Sequence, residues 1–136
     1  MSDIIDINMG CPVKKIVQSG DGSALMRAPE KAEEIVRAMV AVCGDMPVTV
    51  KLRLGWDDSS RNVVEMAKRL EACGAAAFCI HARTRNEMYS PGIHPEYIKA
   101  VKEAVSVPVI GNGDIFSGED AVHILKYTGA DMAMIG

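Results

Sequence analysis

Five short apolar runs alternate along this chain with four longer segments of helical periodicity. The runs are rich in Val, Ile, Ala and Met, and they lack the strict polar–apolar alternation of a half-exposed strand. Strands of this kind are typical of a parallel sheet that helices cover. The pattern predicts an α/β fold of about five parallel strands and four helices. The predicted strands are 3–7, 47–54, 76–82, 107–112 and 130–136.

The helical segments also carry residues that favour helix ends. The segment 29–44 has acidic residues in its first turn and ends at Gly44, and the segment 117–129 opens with Ser117 and ends at Gly129. Serine is a preferred N-cap, and glycine is the preferred residue just after a helix. The sequence therefore predicts helices over 29–44, 61–74, 94–106 and 117–129.

The chain has 136 residues, enough to bury one core, and its composition of 49% hydrophobic but only 4% aromatic residues favours helices and buried strands over a β-sandwich. It opens almost directly on a predicted strand and stops on one. A complete (β/α)8 barrel needs about 250 residues. We therefore expect a single domain over 1–136 that is part of a larger fold.

Charge and cysteine content exclude several classes of protein. The net charge of −3 gives no general attraction to nucleic acid, so an RNA contact would need a local basic cluster. The four cysteines include no C-x-x-C pair, and we expect reduced thiols and no bound metal. We see neither a signal peptide nor an apolar run of roughly 18 residues, which predicts a cytoplasmic protein without membrane contact.

Polar residues gather at the carboxyl ends of the predicted strands. Parallel strands bring these ends to one edge of the sheet, where α/β proteins place their sites. Lys51 and Arg53 are two residues apart, so they point to one face while the strand continues. The pattern predicts a cationic cluster near a thiol and an amide, suited to an anionic cofactor. The strand-end residues are Asn8–Cys11, Lys51, Arg53, His81, Arg83, Arg85 and Asn112–Asp114.

Cys11 and Lys51 are the strongest candidates from position alone. Cys11 follows an apolar run and lies between Gly10, which lets a ligand approach the backbone, and Pro12, which favours an extended conformation before it. Lys51 lies inside an apolar strand, where an ammonium must be paired or must face a cavity. The remaining cysteines are expected to be inert packing residues: Cys43, Cys73 and Cys79.

Two further features have weaker signals. A functional role for His81 is favoured because the basic residues Arg83 and Arg85 follow it at the same strand end. The stretch "GNGD" (111–114) is either a turn before a helix or a backbone cradle for phosphate or ribityl groups.

Several separated motifs resemble one known family. "DIIDINMGCP", "GSALM", "PVTVKLRLGW", "IHARTR", "VPVIGNGDI" and "ADMAMIG" occur in the same order as in the tRNA-dihydrouridine synthases, and the chain most resembles their bacterial B-type branch. The resemblance runs from residue 3 to residue 136. It implies an RNA-binding flavoprotein oxidoreductase that reduces uridine in tRNA to 5,6-dihydrouridine, with FMN as cofactor and NADPH as reductant.

The resemblance also implies roles for individual residues. Cys11 matches the general acid that protonates C5 of the uracil, and a thiol suits this role because it is mostly protonated at neutral pH. Asn8 matches the asparagine of the uracil pocket, and Arg83 lies in a segment that can reach cofactor or RNA. The residues implied to bind FMN are Lys51, His81, Asn112, Gly113, Asp114 and Gly136.

The family's catalytic domain is a (β/α)8 barrel, and this chain matches its strands four to eight. We expect the first three strands and the C-terminal helical tRNA-binding domain to be absent, which leaves strand edges open to self-association. The alternative to an active enzyme is therefore a catalytically silent barrel fragment. A relative of dihydroorotate dehydrogenase is a third hypothesis, which the Asn-x-Gly-Cys-Pro and His-x-Arg-Thr-Arg signatures argue against.

Overall fold

The computed structural model describes residues 2–136, and its five strands form one parallel sheet in the order of the sequence. Each strand pairs with the next, so the chain winds in one direction, as in a barrel. In a doubly wound sheet, by contrast, the strand order reverses partway. The predicted α/β, partial barrel fold is confirmed. The strands are β1 (Ile5–Met9), β2 (Val48–Leu52), β3 (Ala77–His81), β4 (Val109–Asn112) and β5 (Met132–Met134).

The four predicted helices are present, but the count of four is too low. The described residues form five α-helices and two short 3-10 helices. One extra α-helix and one 3-10 helix lie between β1 and the first long helix, and the second 3-10 helix follows β2. The extra α-helix has five residues and buries none of them, so it has no apolar period to detect. The α-helices are α1 (Lys14–Gln18), α2 (Pro29–Cys43), α3 (Val63–Ala72), α4 (Pro95–Ala104) and α5 (Gly118–Thr128); the 3-10 helices are Gly22–Arg27 and Asp58–Ser60.

The end signals of α5 act as predicted. The Ser117 hydroxyl accepts a hydrogen bond from the Asp120 backbone N–H at 3.1 Å, and the Asp120 carboxylate accepts one from the Ser117 N–H at 2.9 Å. This reciprocal pair is a capping box. Gly129 ends the helix with a left-handed backbone, φ 72°. Local chemistry alone therefore fixes both ends of this helix.

The two faces of the sheet differ in polarity. One face packs against the helices and is apolar; Val50, Leu52, Phe78, Ile80 and Val109 on it are completely buried. Residues of the other face alternate with these along each strand. Strand register places Asn8 beside Lys51 and Lys51 beside Cys79 on this second face. The polar residues near the strand ends therefore share the face that would line the inside of a barrel.

The second face and the margins of the sheet are open. In the part of the chain that the structure describes, β1 and β5 each pair on one side only. Apolar side chains near these margins are exposed: Ile4 at 55%, Met132 at 51% and Ile135 at 68%. Unpaired strand edges with exposed apolar residues favour association with another chain segment.

Candidate active site

A pocket of about 220 Å³ lies at the carboxyl edge of the sheet, where β1, β2 and β3 end. It brings together four residues that the sequence singled out: the thiol, an amide, an ammonium and an imidazole. Their positions in the chain run from residue 8 to residue 81, and the parallel sheet places them together. The pocket is lined by Asn8, Gly10, Cys11, Pro12, Lys51, Arg53, His81 and Tyr89.

The Asn8 side chain shapes the loop that carries the thiol. Its Oδ1 accepts hydrogen bonds from the backbone N–H groups of Gly10 and Cys11, both at 3.0 Å. Asparagine favours such local turns because its short side chain mimics the backbone. The chain therefore leaves β1 in a fixed turn that presents Cys11, which is half-buried, at the wall of the pocket.

The first 3-10 helix holds Cys11 from the other side. The Cys11 carbonyl accepts from the Ser23 N–H at 3.0 Å and from the Ser23 hydroxyl at 2.9 Å. Gly22 has φ 56°, and a Cβ there would lie 2.7 Å from the Cys11 carbonyl oxygen. Only glycine fits this close approach without strain. The first two residues of the motif "GSALM", Gly22 and Ser23, are therefore needed to hold the backbone at Cys11.

The Lys51 ammonium points along the polar face to β4. Its Nζ donates to Oδ1 of Asn112 at 3.1 Å, and no carboxylate of residues 2–136 lies within 4 Å of it. The same oxygen is 2.9 Å from Nδ1 of His81. Asn112 is buried, and its Nδ2 donates to the Met134 carbonyl at 2.9 Å, which fixes the orientation of the amide. A cation held by a neutral amide keeps its full charge available to a ligand.

His81 is neutral in this network. Burial, together with the cations Arg53 and Lys51, lowers the pKa of His81 to about 4. Because Oδ1 of Asn112 can only accept, the proton of the neutral ring lies on Nδ1, and Nε2 is an acceptor. Arg83 Nη1 lies 3.3 Å from that Nε2. His81 therefore acts as a hydrogen-bonding group with a defined tautomer, without positive charge.

Arg83 does not line the pocket, although it lies next to His81, which does. Its Nη2 donates to both carboxylate oxygens of Asp114, at 2.6 and 2.7 Å, and its Nε donates to the Ser90 carbonyl at 2.8 Å. The Arg83 side chain is only 4% exposed. In this structure Arg83 fixes the loop after β4 to the loop after β3. A contact between Arg83 and cofactor or RNA stays a prediction.

The "GNGD" stretch forms a turn at the end of β4. Gly113 has φ 117° and Asp114 has φ 50°, so the backbone turns sharply before α5 begins at Gly118. This agrees with one of the two interpretations of the sequence. Whether the turn also holds a phosphate stays a prediction, as does the role of Gly136, which is exposed beyond β5.

The pocket wall also contains Arg53, which the sequence placed in the cationic cluster without a role of its own, and Tyr89, which sequence reasoning missed. Arg53 is buried, and its guanidinium donates to the carbonyls of Gly10, Thr84 and Met88 at 2.9 to 3.0 Å. It also lies 5.4 Å from the centre of the Tyr89 ring. The spacing of two from Lys51 was a signal for Arg53. Tyr89 lies in a long loop, and no pattern in the sequence marks it.

The loop that carries Tyr89 is itself well fixed. Glu87 accepts from the Thr84 N–H at 2.6 Å and lies 2.6 Å from Nε2 of His94. Burial raises the pKa of Glu87, but the hydrogen bonds from Thr84 and His94 outweigh this effect and bring the pKa to about 2. The carboxylate therefore stays charged at neutral pH and accepts the hydrogen bond from the Thr84 backbone.

The predicted cationic cluster forms only in part. Strand β3 ends at His81, so the residues that follow no longer alternate between faces, and Arg85 turns away to stack on Trp56. Cys79 lies on the polar face but is buried beside Met134, and burial raises its pKa to about 11. Its thiol is therefore protonated, in agreement with a packing role.

No helix within residues 2–136 is both long and apolar enough to cross a bilayer. Within the same range, His, Cys, Asp and Glu side chains form no group of three that could hold a metal ion.

A family model and individual relatives of this chain agree on one protein family. The family described as dihydrouridine synthase (Dus) matches residues 1–136. A tRNA-dihydrouridine synthase B from Vibrio parahaemolyticus is 52% identical over 135 residues, which are 99% of this chain and 42% of that protein. A probable tRNA-dihydrouridine synthase 1 from Synechocystis is 52% identical over 130 residues, 96% of this chain and 36% of that protein. This chain thus spans less than half the length of these relatives.

Among solved structures, the BexX/CysO complex of Amycolatopsis orientalis shares the fold with a TM-score of 0.57 at 22% identity, over 79% of this chain and 39% of that one. At that identity the likeness concerns the fold alone. The sequence matches cover the whole pocket wall, from Asn8 to Tyr89. The chain belongs to the dihydrouridine synthase family.

Proposed function

We propose that this chain is the site-bearing part of a tRNA-dihydrouridine synthase, which reduces uridine in tRNA to 5,6-dihydrouridine with FMN as cofactor and NADPH as electron donor. The observation that carries the proposal is the position of Cys11. Its loop is fixed by Asn8 on one side and Ser23 on the other. Cys11 lines a pocket that also contains the Lys51 ammonium, which has a neutral amide and no carboxylate as its partner among residues 2–136.

The residues present suit an electron-rich, anionic cofactor. Lys51 offers an ammonium whose described partner is a neutral amide, so its charge is free to stabilise negative charge on a reduced flavin ring. Asp114 would repel a phosphate, but the Arg83 guanidinium, which donates through Nη2 to both carboxylate oxygens, offsets its charge. Lys51, His81 and Asn112, with the turn at Gly113 and Asp114 and with Gly136, are the residues that would hold FMN.

A bound and reduced FMN would supply the hydride chemistry at C6 of the uracil. The chain's own part is the proton: the Cys11 S–H bond breaks, a C–H bond forms at C5, and the thiolate recovers a proton from solvent. Asn8 contributes in a second way, because its Oδ1 is used by the loop while its Nδ2 makes no hydrogen bond to residues 2–136. That N–H group is available to donate to a uracil carbonyl.

The decisive experiment replaces Cys11 with alanine in the protein that carries these residues. We expect Cys11→Ala to leave flavin reduction by NADPH intact and to lower dihydrouridine formation by a factor of about 100 or more, the usual contribution of a positioned acid. Dihydrouridine is measured by mass spectrometry of digested tRNA. Cys43→Ala, at the end of α2, is the matched control and should retain the parent rate. Normal tRNA reduction by Cys11→Ala would disprove the general-acid role.

A catalytically silent, self-associating fragment is the second candidate. It is favoured by the open polar face and by the exposed apolar side chains of Met132 and Ile135 at the margin of the sheet. The flavin absorbance of the purified 136-residue chain separates the two candidates. Retention of added FMN supports the enzyme, whereas a colourless chain that elutes as an oligomer supports the silent fragment.

A further inference from the structure

Two arginines stack on the same tryptophan at the rim of the sheet. The guanidinium carbons of Arg27 and Arg85 lie 4.6 and 4.8 Å from the centre of the Trp56 ring. The three residues come from three different segments, namely the end of the first 3-10 helix, the loop after β2 and the loop after β3. The two loops are joined, because Trp56 O accepts from the Asn86 N–H at 3.0 Å. We call Arg27, Trp56 and Arg85 the arginine–tryptophan cluster.

These two arginines differ from the other five of the chain. Arg37, Arg61, Arg69 and Arg83 each pair with a carboxylate, and buried Arg53 is satisfied by three carbonyls. Arg27 and Arg85 have no carboxylate within 4 Å among residues 2–136. Arg85 makes one side-chain hydrogen bond, to Asn86, and its Nε is buried without a partner.

An open groove of about 730 Å³ adjoins the cluster. Two further buried atoms on its wall, Nε of Arg61 and Oδ1 of Asn62, have no hydrogen-bond partner among the described residues. Unpaired buried polar atoms are rare in folded proteins, and each needs a partner such as an ordered water or an ion. The two acidic residues nearby are engaged: Asp57 caps Ser59 and Ser60, and Asp58 pairs with Arg61.

We propose that the arginine–tryptophan cluster binds the sugar-phosphate backbone of the RNA substrate beside the reacting uridine. Stacking on an indole fixes a guanidinium plane while its N–H groups remain able to bind phosphate. Because the chain as a whole has a net charge of −3, it has no general attraction for RNA, and binding would depend on local cations that are not paired with carboxylates. This inference rests on the proposed function for the identity of the RNA.

The position of the cluster suits that role. Arg27 ends the 3-10 helix whose first residues, Gly22 and Ser23, contact the Cys11 carbonyl. Six residues of 3-10 helix extend about 12 Å. An RNA strand that delivers a uracil to Cys11 would therefore have neighbouring phosphates within reach of Arg27 and, across Trp56, of Arg85.

The only tryptophan of the chain lies inside the cluster, so its fluorescence reports on this site alone. We expect unmodified tRNA to change the Trp56 emission, and labelled tRNA to bind with an affinity that falls with salt. Arg27→Ala and Arg85→Ala should each weaken binding and reduce the slope of log affinity against log salt by about 1. Arg27→Lys should retain the slope but bind more weakly, because lysine keeps the charge and loses the stacked plane.

Arg37→Ala is the matched control, since it removes an exposed arginine from α2. The proposal is overturned if both cluster variants bind tRNA like Arg37→Ala, if the chain binds no tRNA, or if inorganic phosphate alone reproduces the change in Trp56 emission. Circular dichroism checks folding, and a lysine variant replaces any alanine variant that does not fold.

The two proposals can fail separately in these experiments. If the chain takes up FMN but its tRNA binding is unchanged by Arg27→Ala and Arg85→Ala, the proposed role of the cluster is refuted and the reductase proposal is retained. If the protein neither takes up FMN nor forms dihydrouridine, but its tRNA binding depends on both arginines, the reductase proposal is refuted and the proposed role of the cluster is retained.

Discussion

The Lys51 ammonium lies 3.1 Å from the side-chain oxygen of Asn112, which belongs to a strand two places away in the sheet. That oxygen also accepts from His81, and the amide nitrogen donates to the Met134 carbonyl. One buried side chain therefore connects β4 with β2, β3 and β5. It fixes the direction of the Lys51 charge without neutralising it, which a carboxylate at the same position would do.

Lys51→Ala should weaken FMN binding or slow its reduction. The Lys51 ammonium is a charged donor of the pocket whose described partner is a neutral amide. A charge-assisted hydrogen bond contributes about 1.5–3 kcal/mol, or roughly 10- to 100-fold in affinity. Flavin occupancy and stopped-flow reduction by NADPH measure the effect. Lys68→Ala, on the exposed side of α3, is the control. Equal occupancy and equal reduction rates for the two variants would contradict the assignment.

The neutral state of His81 should make the fold less stable in mild acid. The unfolded imidazole binds a proton below about pH 6.5, whereas the folded one does so only below about pH 4. The unfolded state thus binds more protons between these values, so the free energy of unfolding falls as pH falls, by on the order of 3 kcal/mol across the window. Urea titrations between pH 7 and pH 5 measure the slope.

His81→Gln should remove that slope, and His123→Gln, on the exposed surface of α5, should keep it. Glu87 contributes little to this slope. Its pKa is 4.5 in the unfolded chain and about 2 in the fold, and both values lie below the measured range of pH 7 to pH 5. A slope that survives His81→Gln would show that another group is responsible.

Gly22→Ala should destabilise the Cys11 loop more than an ordinary glycine substitution does. Both Gly20 and Gly22 have positive φ, which costs an alanine about 1–2 kcal/mol. A Cβ at Gly20 has only the Lys31 ammonium at 3.5 Å, while one at Gly22 lies 2.7 Å from the Cys11 carbonyl. Comparing the two alanine variants by urea unfolding isolates the clash. Equal losses would mean that the loop moves freely out of the way.

Arg83→Met should cost about 3 kcal/mol or more, because it leaves the partly buried carboxylate of Asp114 without its cation. The double variant Arg83→Met with Asp114→Asn should recover part of this loss, as a double-mutant cycle would show. Lys102→Met is the control. Its pair with Asp131 is more exposed, at 30% and 40%, and should contribute no more than about 1 kcal/mol. Purely additive losses would remove the case for coupling.

The sequence predicts those parts of the fold that depend on local chemistry. Ser117 and Gly129 set the ends of α5 by bonds within a few residues. Cys11 and Lys51 could be singled out because each conflicts with its surroundings, one past the end of a strand and the other inside an apolar run. Parallel strands then bring both to one edge whatever the loops do.

Features that depend on distant contacts could not be predicted. Tyr89 reaches the pocket because the buried Arg53 extends to its loop, and nothing near Tyr89 in the sequence encodes that contact. Arg83 and Arg85 share the spacing of strand residues, but β3 ends at His81, so one turns to Asp114 and the other to Trp56. Spacing predicts direction only while the strand lasts.

The three carbonyls around the Arg53 guanidinium make two loops mechanically dependent. Gly10 precedes the thiol, while Thr84 and Met88 belong to the loop that carries Tyr89. If either loop opens alone, a buried cation loses an acceptor, at a cost of about 1–3 kcal/mol. The turn that presents Cys11 and the loop that carries Tyr89 are therefore expected to move together, because Arg53 holds the backbone of both.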